Sequence, residues 1–567
     1  MVIYTSQPMN TNPSSSVRFV RTATLFGLLT GLALQAAAPP RWHQMIDYYE
    51  GSQTCLRCHA GEAEEVMATT HWTWEYTDPK TGKNWGKNNV INNYCVAVAS
   101  NEPRCTSCHV GLGYANQDFD FRDPNKVDCL VCHDTTGTYK KFPTGAGHPV
   151  YDTPKEFPAG SGVMWPPPDL TYIAQNAGLT SRATCGACHF YGGGGDAVKH
   201  GDLDSTLTNP SRQLDVHMAA DGQNFSCTSC HQTHNHDIPG SRYLSEFTGA
   251  MACGKCHTAY NGKPHASDRL NAHTARVACQ TCHIPEFARG GRATKMTWDW
   301  STAGEKTPDG KNKVIKDSNG NAIYDTQKGT FTWEANVVPE YRWFNGEYSY
   351  VTVEDTIDPA QLLNFTPLGG SYADPQSLLV PVKRFTGRQP YDAVNNNLVI
   401  PHLFGSDTNA YWKTYDWELA VSAGMDYVKR PYSGELGWLD TEMYWVQNHM
   451  VAPKEQALGC ADCHTPRSRL NFATLGYPAE QAARLQTLAG FEIDQVQLLT
   501  NPEAIQVSWM MEPGFRYQVQ TSPTLTTWSD VTDGQFTADA AGEQIWKDVP
   551  PSAGSTVKFY RILRSPR

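Results

Sequence analysis

Eight times in this chain two cysteines stand three apart with a histidine directly after the second, a grouping that can hold haem covalently. The pairs are Cys55 with Cys58, Cys105 with Cys108, Cys129 with Cys132, Cys185 with Cys188, Cys227 with Cys230, Cys253 with Cys256, Cys279 with Cys282 and Cys460 with Cys463. The histidines that follow are His59, His109, His133, His189, His231, His257, His283 and His464. Thiols at this spacing reach the two vinyl groups of one porphyrin, and the next imidazole is then held beneath the iron as an axial ligand. Random placement would give roughly 0.02 such motifs, so chance is excluded. Zinc ribbons and thioredoxin-like dithiols share C-x-x-C, but neither requires a histidine after every second cysteine. The implied cofactors are eight covalently attached c-type haems. Of the 17 cysteines only Cys95, in "NNYCVAVASNEPRCTSCH", is left over.

Eleven of the 19 histidines lie outside the motifs: His43, His71, His148, His200, His217, His234, His236, His265, His273, His402 and His449. Eight of them are singled out as distal iron ligands: His71, His200, His217, His234, His236, His273, His402 and His449. Haems with two imidazoles carry electrons but leave no iron position for a substrate. An enzyme needs one iron whose sixth position is empty or weakly held. Two residues break the histidine pattern, Cys95 and Lys199. Lys199 follows the glycine run Gly192 to Gly195 in "FYGGGGDAVKHGDLD", which allows close-packed backbone. A lysine ligates only when deprotonated, so it must be desolvated; otherwise Lys199 is a solvated side chain.

The elements that position these groups are expected to be short. Residues 39–490 supply only about 57 residues per haem, so porphyrins form the core. The expected fold is a multihaem cytochrome c of short α-helices and long loops around a haem core, with 46 Gly and 36 Pro in keeping with that. No constant period separates the motifs, so this is one irregular domain. The long stretch between His283 and Cys460, rich in Trp and Tyr, reads as a pocket-shaping segment, an oligomer contact or a cover over haem edges. Helical character is expected near "GWLDTEMYWVQNHM", where apolar residues recur at three- and four-residue spacings. After Gly490, "AIQVSWMM", "FRYQVQTS" and "VKFYRIL" alternate apolar and polar residues, so residues 491–567 are expected to form a small C-terminal β-sandwich domain.

Residues 1–38 read as a signal peptide: Arg18 and Arg21, an apolar run from Ala23 to Leu34, then Ala36 to Ala38. The run is too short for a membrane span. The implied location is periplasmic or extracellular, with no stable membrane span. Losing the two arginines takes the formal charge from −11 to −13. Nucleic acid is therefore not expected as a partner, and any anion site must gather its own cations. The partners expected are a small anionic substrate and an electron-donor redox protein or quinol dehydrogenase. The oligomeric state is left open.

From Cys55 to Tyr477 the chain resembles the octahaem tetrathionate reductase family of secreted cytochromes. The likeness rests on the order of the motifs and on "NNYCVAVASNEPRCTSCH", "DCLVCHDTTGTYKKFPTGAGHP", "CGACHFYGGGGDAVKHGDLD", "NHMVAPKEQALGCADCH" and "RLNFATLGYP". The resemblance implies a respiratory enzyme with a haem core related to hydroxylamine oxidoreductase and multihaem nitrite reductases. It also implies that the haem on Cys105 and Cys108 is the reactive one, with a lysine as axial ligand and an unpaired cysteine, matched by Cys95, beside it. Lys199 is the preferred lysine; Lys140, Lys141 and Lys155 stay open, as does whether the lysine joins His109 on the iron or replaces it.

The function expected is reduction of sulfur or nitrogen oxyanions, tetrathionate to thiosulfate and also nitrite or hydroxylamine to ammonia, with Cys95, Lys199 and His109 as catalytic residues. A pure electron conduit and an oxidase of the hydroxylamine type are the rival readings. The conduit requires two imidazoles on every iron, and the oxidase requires a tyrosine cross-linked to haem.

Overall fold

The computed structural model describes residues 41–567 apart from 95, 242–246, 248, 467, 488–492, 501–502, 512–514, 525, 538–541, 549–558 and 567. The expected signal peptide and Cys95 itself lie outside the described residues. The chain divides into two compact units, Leu32–Leu458 and one that contains Gly459–Arg567.

In the first unit the motifs sit on short helical turns, among them Arg182–His189, Cys227–Cys230 and Cys279–His283. The longest helix among the described residues is Trp417–Tyr427, at 11 residues. A tether to a porphyrin needs only one turn to present two thiols and an imidazole on one side.

The stretch between the seventh and eighth motifs has regular structure of its own. It builds a 9-stranded sheet among the described residues, in which Leu363–Asn364, Leu436–Val446, Leu378–Asp392, Thr294–Asp299, Gly329–Glu334, Ala322–Asp325 and Val314–Lys316 follow one another. Asn397–Leu398 and Glu340–Phe344 pair with Leu378–Asp392 as well. The two long strands run antiparallel, from Val382 opposite Val446 to Asp392 opposite Leu436.

The helix expected over "GWLDTEMYWVQNHM" is therefore corrected: Leu436–Val446 is a strand. Leu439, Met443 and Trp445 enter one apolar cluster and Tyr444 and Val446 another. With apolar side chains on both faces the period-two signal is erased, and the remaining spacing imitates a helix.

One face of the sheet holds the segment around Cys95. Ile91, Tyr94, Val96 and Ala97 share a buried cluster with Trp298, Phe385, Met443 and Trp445. A tight turn is closed by the Asn92 N–H on the Val96 carbonyl, 2.8 Å. Asn93, fully buried, accepts from Thr441 Oγ1 at 2.5 Å and donates to the Phe385 carbonyl at 3.4 Å.

The second unit carries the eighth motif, the helix Ala479–Thr487 and two three-stranded antiparallel sheets. Ile493–Thr500, Glu503–Met511 and Gly542–Asp548 form one sheet; Ser529–Thr537, Phe515–Ser522 and Phe559–Pro566 form the other. Val507, Trp509 and Trp546 of the first meet Tyr517, Val519, Tyr560 and Ile562 of the second in one buried cluster. Arg564 donates to the Thr487 carbonyl at 3.2 Å, tying the last strand to the helix.

Replacing Asn93 by Ala leaves the buried Thr441 hydroxyl without its acceptor. The expected loss is about 1–3 kcal/mol, read as a lower guanidinium midpoint of the haem-loaded full chain; an unchanged midpoint would show that Asn93 does not anchor the turn.

Candidate haem sites and the exceptional second motif

Six motif histidines each face a histidine from outside the motifs. The pairs and their ring-centroid separations are His59 with His43 at 6.1 Å, His133 with His236 at 6.4 Å, His189 with His71 at 6.2 Å, His231 with His449 at 6.4 Å, His257 with His217 at 5.9 Å and His283 with His265 at 6.2 Å. A metal–imidazole bond is about 2.0–2.1 Å, so two rings sharing one metal stand about 6.3 Å apart. The residues present fit an iron between each pair.

The hydrogen bonds agree with that fit. Nδ1–H of His43 donates to the Ala177 carbonyl (3.1 Å), that of His133 to Gly178 (2.7 Å) and that of His231 to Pro239 (2.8 Å). His236 Nδ1–H donates to Glu65 (2.8 Å), and His449 Nδ1–H to the buried Asp202 (3.2 Å). Each bond fixes the tautomer and turns the Nε2 lone pair toward the partner ring, the usual outer support of a metal-bound histidine. Glu62 and Glu65 beside His236 are such a support. In the second unit His464 does the same with the Leu485 carbonyl, 2.9 Å, and stacks on Phe472.

The motif cysteines are less uniform than a haem core with every tether inside it would make them. Burial pushes the Cys132 thiol up to about 12, but Cys58 and Cys256, the second cysteines of the first and sixth motifs, are exposed, as are Cys230 and Cys460. Cys282 and Cys463, the second cysteines of the seventh and eighth motifs, are half-buried. Burial of the motif sulfurs therefore varies along the chain, with Cys58 and Cys256 at the surface and Cys282 and Cys463 half-buried. The physical reason is that a thioether joins the edge of the porphyrin, so its sulfur can lie at the surface while the ring plane is covered. The local geometry is still that of a motif. Cys58 N–H bonds the Cys55 carbonyl at 3.1 Å, and Cys256 N–H bonds the Cys253 carbonyl at 3.2 Å. Cys282 lies within the turn Cys279–His283, its carbonyl accepting the Leu458 N–H at 2.9 Å, and Cys463 ends the turn Cys460–Cys463.

The distal set differs from the one singled out by sequence. His71, His217, His236 and His449 face motif rings, and so do His43 and His265, which were not among those singled out. His402 does not act as expected: its Nδ1 meets the Ser100 carbonyl at 2.6 Å and its Nε2 meets Asp407 at 2.9 Å, so both nitrogens are engaged. His234 is exposed, His273 Nδ1–H donates to the Arg269 carbonyl, and His200 lies against the Trp445 ring at 4.8 Å.

The second motif breaks the pattern. In the first, third, fifth, sixth and eighth motifs the histidine N–H bonds the carbonyl of the motif's first cysteine; His109 N–H bonds Thr106 instead, at 2.9 Å. The ring of His109 is fully buried among Trp72, Trp74, Tyr114 and Phe119. Its Nε2–H donates to the Trp72 carbonyl at 2.6 Å, and its Nδ1 accepts the Gly111 N–H at 3.0 Å. This is the opposite tautomer, and it offers no lone pair to a metal. Burial, with Lys141, Lys87 and His71 adding to it, holds the imidazole neutral, its pKa down at about 3.

Lys141, rather than Lys199, is the lysine in contact with this motif. Its ammonium donates to the carbonyls of His109 (2.6 Å) and Gly111 (3.2 Å) and pairs with Asp128 at 3.0 Å, the two side chains 5% and 1% exposed. Tyr139 donates to Asp128 at 2.6 Å. Lys140 is exposed, and Lys155 stacks on Phe142.

Lys199 sits elsewhere in the neighbourhood, its ammonium 4.9 Å from the Trp445 ring centre. The glycine run does permit close packing. A Cβ on Gly193 would lie 3.1 Å from the Tyr94 ring, and one on Gly192 3.3 Å from Lys199 Cδ. Tyr94 Oη and the buried Lys383 ammonium both donate to the Lys199 carbonyl, at 2.8 and 3.0 Å. This loop thereby lies beside the turn that carries Cys95. Cys108 lies beside Cys188, Cys55 beside Cys129 and Cys185 beside Cys227, so these motifs are neighbours in space.

Parts of the chain match two families, described as "Cytochrome c bacterial" over residues 295–467 and "Cytochrome c554 and c-prime" over residues 54–134. An uncharacterized protein of Archaeoglobus fulgidus is 24% identical over 230 residues, 34% of this chain and 76% of that protein. The motifs, the ring pairs and these matches define a multihaem c-type cytochrome, a redox protein with covalently bound haem. The crystal structure of octahaem cytochrome c from Shewanella oneidensis is similar with a TM-score of 0.67 and 43% identity, over 76% of this chain and 93% of that one. The chain belongs to the octahaem cytochrome c family. No helix among the described residues is long and apolar enough to cross a membrane.

Replacing His43 or His265 by Ala is expected to turn one low-spin haem high-spin in the electron paramagnetic resonance spectrum of the oxidised protein. Replacing His402 by Ala leaves every haem signal in place; a lost low-spin signal there would return His402 to the ligand set.

Proposed function

We propose that this protein is an exported eight-haem reductase of sulfur and nitrogen oxyanions whose reactive haem hangs from Cys105 and Cys108. All sixteen motif cysteines, with Cys58, Cys256, Cys282 and Cys463 among them, are thioether positions in this reading. The observation that carries it is the withdrawn His109. Six other motif histidines face a second imidazole, whereas both nitrogens of His109 are spent on backbone groups. A haem lacking two imidazoles is open to an outside molecule.

In this reading Lys141, and not His109, would hold the haem iron. An amine must lose its proton to ligate, and Asp128 stands 3.0 Å away to take it. Tyr139, bonded to the same carboxylate, steadies that proton. When bound, the haem supplies the electrons that enter through the remaining haems from an electron-donor redox protein.

Cys95 belongs to the sulfur chemistry. Its thiolate attacks a central sulfur of tetrathionate, forming an enzyme–S–S bond and releasing the first thiosulfate with the electron pair of the broken S–S bond. Two electrons then cleave the enzyme–S–S bond, returning the thiolate and the second thiosulfate. Nitrite reduction to ammonium needs six electrons and eight protons and uses the open iron position without the thiol. The C-terminal sheets, read as a β-sandwich, are an attachment or partner-binding module.

A Cys95→Ser variant should lose tetrathionate turnover at least tenfold while keeping nitrite turnover; unchanged tetrathionate turnover removes the thiol from the mechanism. Lys141→Met should abolish the distinctive resonance signal of the reactive haem. If that signal persists in Lys141→Met, the amine is not the ligand.

A further inference from the structure

Two lysine charges act on the second motif, and they are not equivalent. Lys141 is matched by Asp128. Lys87 stands beside the same motif by way of Trp74, whose ring packs against His109. Lys87 is half-buried and has no carboxylate within ion-pair distance among the described residues. Its recorded company is the face of Trp74, 4.3 Å from the ring centre, and Trp74 in turn packs edge-on against His109 at 4.9 Å.

The backbone presents this lysine from a fixed turn. A Cβ on Gly86 would meet the Trp74 carbonyl at 1.9 Å, so only glycine allows the approach. The Asn88 N–H bonds that same carbonyl at 3.4 Å. Asn89 accepts the Gly86 N–H at 2.8 Å, and Asn88 donates to Glu75 at 2.9 Å. Ordering a cation beside an apolar cage, with no carboxylate in ion-pair contact, costs desolvation that an aromatic face offsets only in part. In a chain with net charge −11, a cation that needs an anion to complete it is what can draw in an anionic substrate.

We propose that Lys87 is the residue that captures the oxyanion at the second haem, donating from Nζ to a sulfonate or nitrite oxygen while the Trp74 face holds the ammonium in place. This inference rests on the reading of the second motif as the substrate centre, and it adds a binding residue that neither the motif spacing nor the glycine run points to.

The test uses the full-length haem-loaded protein, oxidised, titrated with nitrite and with tetrathionate at several salt concentrations while the resonance and optical spectra are followed. Lys87→Gln is expected to bind both anions roughly tenfold more weakly than wild type, with a shallower dependence on salt. Lys87→Arg should restore most of the affinity, and carbon monoxide, a neutral ligand, should bind the reduced Lys87→Gln protein as it binds wild type. Wild-type affinity and salt dependence in Lys87→Gln, as when a haem propionate is the partner of this lysine, overturn the proposal while leaving the substrate centre intact. Weakened anion binding that Lys87→Arg does not restore, or that comes with lost carbon monoxide binding, overturns it as well, because the site has then been disturbed as a whole. A wild-type protein silent toward both anions overturns the substrate centre itself and this inference with it.

Discussion

Two imidazoles sharing one iron must face each other across about 6.3 Å with a lone pair of each turned inward, and the first unit is organised by that demand. His43 meets His59 near the start of the described chain, whereas His449 meets His231 from far along the sequence. Each such pair closes a long loop, as a disulfide or a metal clip would. With so little chain per haem, these closures do what packed helices do in larger cores. The helices can then be one or two turns long, because they only aim a motif. The carbonyls and carboxylates on Nδ1 matter as much as the rings, since they choose the tautomer.

The sheet grips two segments, the turn of residues 92–96 and the loop of Lys199. A haem-linked scaffold is tied at its irons, so segments that carry no motif need to be fixed by other means. The strands supply them. Asn93 is gripped by Thr441, and Thr294 Oγ1 bonds the Ala197 carbonyl at 2.7 Å. Gln447 Nε2 bonds the His200 carbonyl at 3.0 Å. The turn around Cys95 and the loop of Lys199 are thereby both stitched to one rigid surface.

The chemistry was legible in the sequence wherever it is written locally. A thioether pair with its histidine has a fixed spacing, and half-buried strands such as Phe515–Ser522 alternate visibly. How deep each pair lies is not local, so Cys58 and Cys256 share their spacing with Cys132 but not its burial. Distal ligands have no spacing at all: His43 and His265 look no different in sequence from His402, which the fold spends on Ser100 and Asp407. The long central strands were hidden because both their faces are buried. The glycine run marked a true close approach, but to Tyr94, and which lysine reaches the second motif is decided by the tertiary course of the chain. Lys141 carries no local mark beyond its place in a resembling segment, and Lys87 carries none at all.

Charge beside the Lys199 loop is managed at short range. Lys383, fully buried, sends its ammonium to the carbonyls of Val198 and Lys199 and to Thr294 Oγ1, at 3.1, 3.0 and 2.6 Å. Burial pushes its pKa well down, with Asp202 opposing, and no carboxylate touches it among the described residues. Carbonyl dipoles can satisfy an ammonium's hydrogens without cancelling its charge. At physiological salt the field of the acidic surface fades beyond about 8 Å, whereas charges in a poorly solvated pocket are screened far less. An anion in such a pocket responds to the few cations at hand and little to the net charge, so an acidic surface is compatible with the anion site proposed above.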